Sequence, residues 1–264
     1  MPNLRLQNKT ILITGATSGL GRALAVELAR RGNRIVVTGR RAELLDTLAT
    51  EITAAGSECM TANVDAADTD AVARHLAEVF DAWGTVDVAV LNAGGGNGLV
   101  MGAPGTNAAA VLDMMRKNYT TFVNYLCPLI DHMRQRGGTI AYTGSPAGMF
   151  GLPRSGPYSA AKAAGRVLLD SARIELADTP IRFVALYPGF TYTEGLNPAE
   201  VPSPALIIQP ERAVREMLGA IERGVDHHIF PRRIAWPIRL GRMLPEPMRR
   251  ALLRLAAPPQ QLGP

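Results

Sequence analysis

Short apolar runs alternate along the chain with longer stretches whose apolar residues recur every three or four positions. Thr10-Ile11-Leu12-Ile13-Thr14 is a β-branched run of the kind buried on both faces of a parallel sheet. Arg34 to Thr38, Cys59 to Val64, Val86 to Leu91, Gly138 to Thr143 and Ile181 to Tyr187 repeat it, and His227 to Phe230 reads as an edge strand. Between them, Arg22 to Arg31, Ala42 to Ala55, Asp70 to Phe80, Val111 to Arg134, a stretch near Tyr158, and Glu211 to Arg223 carry the helical period. Strand and helix in alternation predict an α/β fold: one domain over 1–264, a doubly wound parallel sheet of about seven strands with helices on both faces.

Composition narrows this picture without redirecting it. The chain has 264 residues, 47% of them hydrophobic, enough for one large core. No window reaches the ~18 apolar residues of a spanning helix, and Met1 to Lys9 lacks the basic-then-apolar order of a secretory signal, so a cytoplasmic location is expected. Cys59 and Cys127 stand far apart, outside disulfide or zinc spacing. No metal site is expected, and adjacent His227 and His228 point to opposite sides of a strand. The formal charge is +5, carried by 25 arginines and only three lysines, Lys9, Lys117 and Lys162. The arginines mostly interleave with apolar helix positions, which favours a solvated surface over nucleic-acid binding.

The first strand runs into Gly15-Ala16-Thr17-Ser18-Gly19-Leu20-Gly21 and then a helix. Glycines admit a pyrophosphate close to the backbone, and a helix start offers free N–H groups and a positive dipole end. This strand, turn and helix is the phosphate-binding unit of a dinucleotide-binding (Rossmann) sheet. The second strand ends at Gly39-Arg40-Arg41, with no acid before Glu43. An acid there suits the ribose hydroxyl of NAD, whereas an arginine forks onto the 2′-phosphate of NADP. The cofactor expected is therefore NADP(H), with Arg40 as main contact and Arg41 beside it. The fourth strand breaks into Asn92-Ala93-Gly94-Gly95-Gly96-Asn97-Gly98, a loop whose missing side chains can lie against a flat ring.

Tyr158 and Lys162 are four residues apart, on one face of a helix. A cation favours the phenolate and lowers the phenol pKa toward the range useful for proton transfer. Ser145 leaves the fifth strand, where its hydroxyl can bond a substrate oxygen. Asn118, inside a helical pattern, reads locally as a helix defect.

In order and spacing, Thr14-Gly-Ala-Thr-Ser-Gly-Leu-Gly21, Asn92-Ala93-Gly94, Asn118, Ser145, Tyr158-x-x-x-Lys162, and Pro188-Gly189 with Thr193 resemble a short-chain dehydrogenase/reductase over about residues 8–195. The resemblance implies a tetrad: Tyr158 exchanges a proton with the substrate oxygen, Ser145 holds that oxygen, Lys162 binds the nicotinamide ribose and lowers the tyrosine pKa, and Asn118 supports a proton-relay water. It also implies cofactor contacts at Gly15, Thr17, Ser18, Gly19, Leu20, Gly21, Asn63, Val64, Asn92, Ala93, Gly94, Tyr158, Lys162, Pro188, Gly189, Thr191 and Thr193, and a homo-oligomer, dimer or tetramer. Two positions depart from the family pattern: Leu91 replaces a second asparagine, and Asn63 an aspartate that meets the adenine.

The family places a substrate-covering loop at 190–210, which here is rich in proline and apolar residues and points to a small apolar ketone, aldehyde or alcohol. Leu99, Met101, Met149 and Phe150 are candidates for the same pocket. A β-ketoacyl thioester reductase, with Arg154 at the pocket mouth, and a non-catalytic dinucleotide-binding regulator are the alternatives. The tail 231–264 sets seven arginines against the single acid Glu246. On a helix from Pro247, Met248, Ala251, Leu252 and Leu255 share one side. Packing on the active site or on another subunit is the leading expectation for this basic amphipathic extension, and peripheral membrane contact the next.

Overall fold

The computed structural model describes residues 3–96, 99–198, 201 and 203–256. Asn97 and Gly98 of the glycine loop, three positions of the 190–210 loop, and 257–264 of the tail lie outside them. Seven strands form one sheet: β1 (Thr10–Thr14), β2 (Arg34–Gly39), β3 (Cys59–Asn63), β4 (Val88–Leu91), β5 (Gly138–Thr143), β6 (Ile181–Pro188) and β7 (His227–Phe230). Their order is β3-β2-β1-β4-β5-β6-β7, and every neighbouring pair is parallel. This is the doubly wound sheet that the alternation predicts.

The inner strands β1, β2, β4, β5 and β6 read as nearly continuous buried runs because both faces are covered, whereas the edge strands β3 and β7 are partly exposed. On one face Ile11, Ile13, Ile35, Val37, Val88 and Val90 meet α1 (Gly19–Ala29), α2 (Ala42–Ala54) and α7 (Pro210–Arg223). On the other, Leu12, Val36, Ala89, Leu91, Ile140 and Phe183 meet α3 (Thr69–Trp83), α5 (Thr121–Arg136), α6 (Gly156–Glu175) and α8 (Arg232–Met243). Alternate residues of one strand thus serve opposite cores.

Two helical expectations change. The span Val111 to Arg134 is not one helix: α4 (Ala108–Met115) leads through a wider π turn (Arg116–Thr120) into α5. Asn118 lies in that turn, fully buried, and its side-chain amide bonds outside the regular ladder. Among its described residues the tail holds two helices, α8 and α9 (Glu246–Ala256). Pro237 inside α8 interrupts the sequence signal for that helix.

Candidate active site

The carboxyl ends of β1 and β4 meet where the strand order reverses, the usual ligand crevice of an open α/β sheet. Thr14 Oγ1 accepts from the backbone N–H of both Asn92 and Ala93, each at 3.0 Å, and Asn92 Nδ2 donates to the Gly15 carbonyl at 3.3 Å. The two loops are tied together before any ligand contributes. Gly15 sits at φ +65°, and a Cβ there would lie 2.8 Å from Ala93 Cα. At Gly21 a Cβ would stand 2.3 Å from the Gly15 carbonyl oxygen, so only glycine lets α1 start so close to β1.

The start of α1 suits an anion. Ser18 is the N-cap but makes no capping bond, and the first turn holds no acid, which leaves N–H groups and the positive dipole end for an outside acceptor. A carboxylate of the chain itself is drawn to this place: Glu194, next to Thr193, interacts with Ser18 and pairs with Arg41 at 3.0 Å. Arg41 holds the Glu194 carboxyl below its ordinary range. Thr193 packs at Gly19, where a Cβ would meet its methyl at 3.3 Å, and Leu20 packs half-buried against the core. The residues present therefore fit a dinucleotide pyrophosphate.

Arg40 and Arg41 follow β2 and have different surroundings. Arg41 donates to Thr17 Oγ1 from Nε (3.3 Å) and Nη2 (3.1 Å) as well as pairing with Glu194. Arg40 is exposed, and its guanidinium makes no hydrogen bond or ion pair among the described residues. Gly39 sets this geometry, because a Cβ would stand 2.4 Å from the Thr17 methyl. With its amide nitrogen turned inward, Asn63 donates to the carbonyls of Gly39 (3.2 Å) and Arg40 (3.3 Å), which leaves its oxygen as an acceptor. Val64 continues the edge by donating to Gly39 O at 2.9 Å. The Arg41 to Glu194 link spans 153 positions, a separation that no local pattern reports.

The second half of the site is built on α6 and β5. Lys162 is only 4% exposed, and its Nζ donates to the Thr143 carbonyl at the end of β5 at 3.0 Å. Burial lowers its pKa to about 8, since a low-dielectric setting disfavours the charged form. Tyr158, one turn earlier, places its ring centroid 5.8 Å from that nitrogen. Burial pushes the Tyr158 phenol above its ordinary value, and the Ser145 hydroxyl pulls it partly back. The lowering expected from Lys162 does not figure among the causes of this shift, which are burial and the Ser145 hydroxyl. Ser145 Oγ also accepts from Ala147 N at 3.2 Å, which holds the serine at the head of a short 3-10 turn, Pro146–Gly148.

Glycines and backbone contacts fix these parts relative to one another. A Cβ at Gly148 would meet the Lys162 carbonyl carbon at 2.8 Å, so the Ser145 loop lies directly on the α6 backbone. Arg166 Nε donates to Gly148 O at 3.2 Å, a second tie from the same helix. Tyr142 reaches Lys162 O at 3.4 Å across Gly165, where a Cβ would lie 2.4 Å from its hydroxyl. Sequence reading passed over Gly148, Tyr142 and Arg166, which carry no chemical signature of their own.

Asn118 closes the far side. Its Oδ1 accepts from Gly95 N and its Nδ2 donates to Gly95 O, each at 2.9 Å, and Nδ2 also reaches Met114 O at 3.2 Å. At Gly94 a Cβ would stand 2.8 Å from Asn118 Oδ1 and 3.2 Å from Lys162 Nζ. The β4 loop, the π turn and α6 converge there.

Around this centre, Gly189 N donates to Phe230 O at 2.8 Å as the chain leaves Pro188. Thr191 is buried and bridges to Ile208, which folds the 190–210 loop back on itself. Among the apolar pocket candidates, Met149 and Phe150 are half-buried against the core, Met101 is exposed beside Gly156, and Leu99 is half-buried. Arg154 is exposed at φ 61° just before α6. Arg249 lies over the Phe150 ring at 5.7 Å and Gly241 packs against the same ring, so the tail does reach this side of the molecule. His227 meets Tyr187 and Asp170 while His228 meets Glu216. Among the described residues no group of three or more His, Cys, Asp or Glu could hold a metal, and no helix is long and apolar enough to cross a membrane.

Residues 9–201 match the family model for short chain dehydrogenase. An uncharacterized oxidoreductase of Myxococcus xanthus is 35% identical over 243 residues, which cover 91% of this chain and 94% of that protein. A short-chain type dehydrogenase/reductase from Mycobacterium marinum superposes with a TM-score of 0.77 at 26% identity, over 85% of this chain and 94% of the other. An alcohol dehydrogenase from Thermococcus sibiricus, solved with 5-hydroxy-NADP, gives 0.75 at 25% identity, over 84% and 95%.

Proposed function

We propose, from the premise that this chain belongs to the short-chain dehydrogenase/reductase family, that it transfers a hydride between NADP(H) and a carbonyl or secondary alcohol, with an apolar ketone or aldehyde as substrate. The observation that carries the reading is the convergence of Tyr158, Ser145 and Lys162 beside Gly94, at the carboxyl edge of the sheet.

NADPH, when bound, supplies the hydride. Gly15, Thr17, Ser18, Gly19, Leu20 and Gly21 would hold its pyrophosphate; Asn63 and Val64 the adenine side; Asn92, Ala93, Gly94, Pro188, Gly189, Thr191 and Thr193 the nicotinamide side, with Lys162 and Tyr158 at its ribose. The Arg40 guanidinium, without a partner among the described residues, is the one left for a 2′-phosphate.

In the reducing direction Tyr158 donates its phenolic proton to the substrate oxygen as the carbonyl carbon is reduced, and Ser145 donates a hydrogen bond to that oxygen. A phenol kept neutral by burial suits the acid role, and the Lys162 ammonium steadies the phenolate that forms. Asn118 keeps the Gly94-Gly95 backbone in place beside Lys162 and so orders the relay that returns a proton to Tyr158. The 190–210 loop covers the substrate, and the protein works in the cytoplasm as a homo-oligomer. Fluorescence titration with NADPH and NADH, followed by a panel of apolar ketones and aldehydes, tests this. Tighter binding of NADPH and its oxidation by a panel member are expected; tighter binding of NADH overturns the Arg40 assignment.

A further inference from the structure

The charge of this chain is concentrated in one place. The tail from Pro231 holds seven arginines and one glutamate, a formal +6 against +5 for the whole chain, so the remaining residues together carry −1. Among the described residues, the same segment holds most of the large apolar side chains that reach solvent. On α8 these are Trp236 (68% exposed), Leu240 and Met243; on α9, Met248, Leu252 and Leu255 (84% exposed). In each helix the three follow an i, i+4, i+7 spacing and form a single row. The opposite side of α8 is already used, since Ala235 and Ile238 are buried in the core and Ile234 packs at Gly189. The exposed rows are therefore surplus to folding. On a helical wheel Arg232, Arg233 and Arg239 flank the Trp236 row, which puts cations at both margins of an apolar strip that includes an indole.

We infer that α8 and α9 form a docking surface for an anionic lipid bilayer, with the apolar rows entering the headgroup region and the arginines meeting lipid phosphates. Apolar insertion combined with arginine attraction is how interfacial helices bind, and tryptophan is favoured where one end is apolar and the other wet. A second copy of the chain is the poorer occupant: a two-fold contact opposes each patch to itself, which would set arginines against arginines with a single glutamate to relieve them. The surface adjoins the active-site side through Phe150, which Gly241 and Arg249 touch.

The test is co-sedimentation of the full-length protein with vesicles of phosphatidylcholine alone and of phosphatidylcholine mixed with phosphatidylglycerol, with NADPH binding as the control for folding. Binding to the anionic vesicles, weakened by salt, is expected. Arg239→Gln with Arg250→Gln and Arg254→Gln should weaken it on the order of a hundredfold, about fivefold for each arginine. Trp236→Ser with Leu255→Ser should weaken it at least tenfold without changing charge. Equal, negligible binding to both vesicles overturns the inference, and so does full binding by the apolar variant, which would mean adsorption by charge alone. If ultracentrifugation shows the apolar variant passing from oligomer to monomer while vesicles bind neither form, the surface is a subunit interface and the inference fails.

Discussion

The β5–α6 region and the α8–α9 tail satisfy their side chains in opposite ways. In the first, Lys162 is buried on the Thr143 carbonyl, Tyr142 lies on Gly165, and the Ser145 loop rests on the α6 backbone through Gly148. In the second, six large apolar side chains face solvent. Dense packing with glycine at the crossing points means that the chain alone determines the geometry there, as acid/base chemistry requires. Apolar rows left exposed mean that the chain does not complete that surface by itself.

If the contrast holds, substitutions in the first region are costly and those in the second are not. The largest effect on stability is expected at Lys162. Its ammonium value falls from 10.5 to about 8 on folding, so between pH 8 and 10.5 the unfolded chain holds a proton that the folded chain has released. Stability then rises with pH across that window, by on the order of 3 kcal/mol in all. Buried tyrosines act in the opposite direction above pH 10, because the Tyr125 phenol is raised to about 12 and the folded chain retains its proton longer. Denaturation midpoints should therefore climb from pH 8 to 10 in the wild type and stay flat in Lys162→Met; parallel curves would show that Lys162 is not desolvated.

Next is Gly148→Ala. The new methyl would meet backbone of Lys162 at 2.8 Å, and backbone yields little, so a loss of about 1–3 kcal/mol is expected, together with a lower kcat as Ser145 moves. Unchanged kcat would detach the loop from the chemistry. Arg40→Ala should weaken NADPH about tenfold and leave NADH unchanged, whereas Arg41→Ala, whose guanidinium is engaged by Thr17 and Glu194, should change affinity about threefold or less; calorimetry separates the two. Leu255→Ser should move stability by less than about 0.5 kcal/mol. A larger loss would mean that the row is packed.

Local pattern made most of the sheet legible, because a strand buried on both faces announces itself as an apolar run, as at Thr10–Thr14 and Gly138–Thr143. Asn118 was legible as a helix defect, but not as the residue that clasps Gly95 across 23 positions. Long-range ties of this kind leave no periodic trace, and the same holds for Arg41 with Glu194. Gly148 and Gly165 matter for what they leave out, which only three-dimensional neighbours can show. The direction of the Tyr158 shift depends on burial, a property of the folded chain and not of its spacing to Lys162. The α8 helix is not legible in the sequence because Pro237 breaks the pattern that reveals helices.

The most direct measurement is the single-turnover rate of NADPH oxidation with a responsive ketone, on wild type and on Tyr158→Phe, alongside the NADPH dissociation constant of each. The expected result is loss of turnover by at least about a thousandfold with cofactor affinity nearly unchanged. A near-normal kcat in the phenylalanine variant would contradict the assignment of Tyr158 as the proton donor.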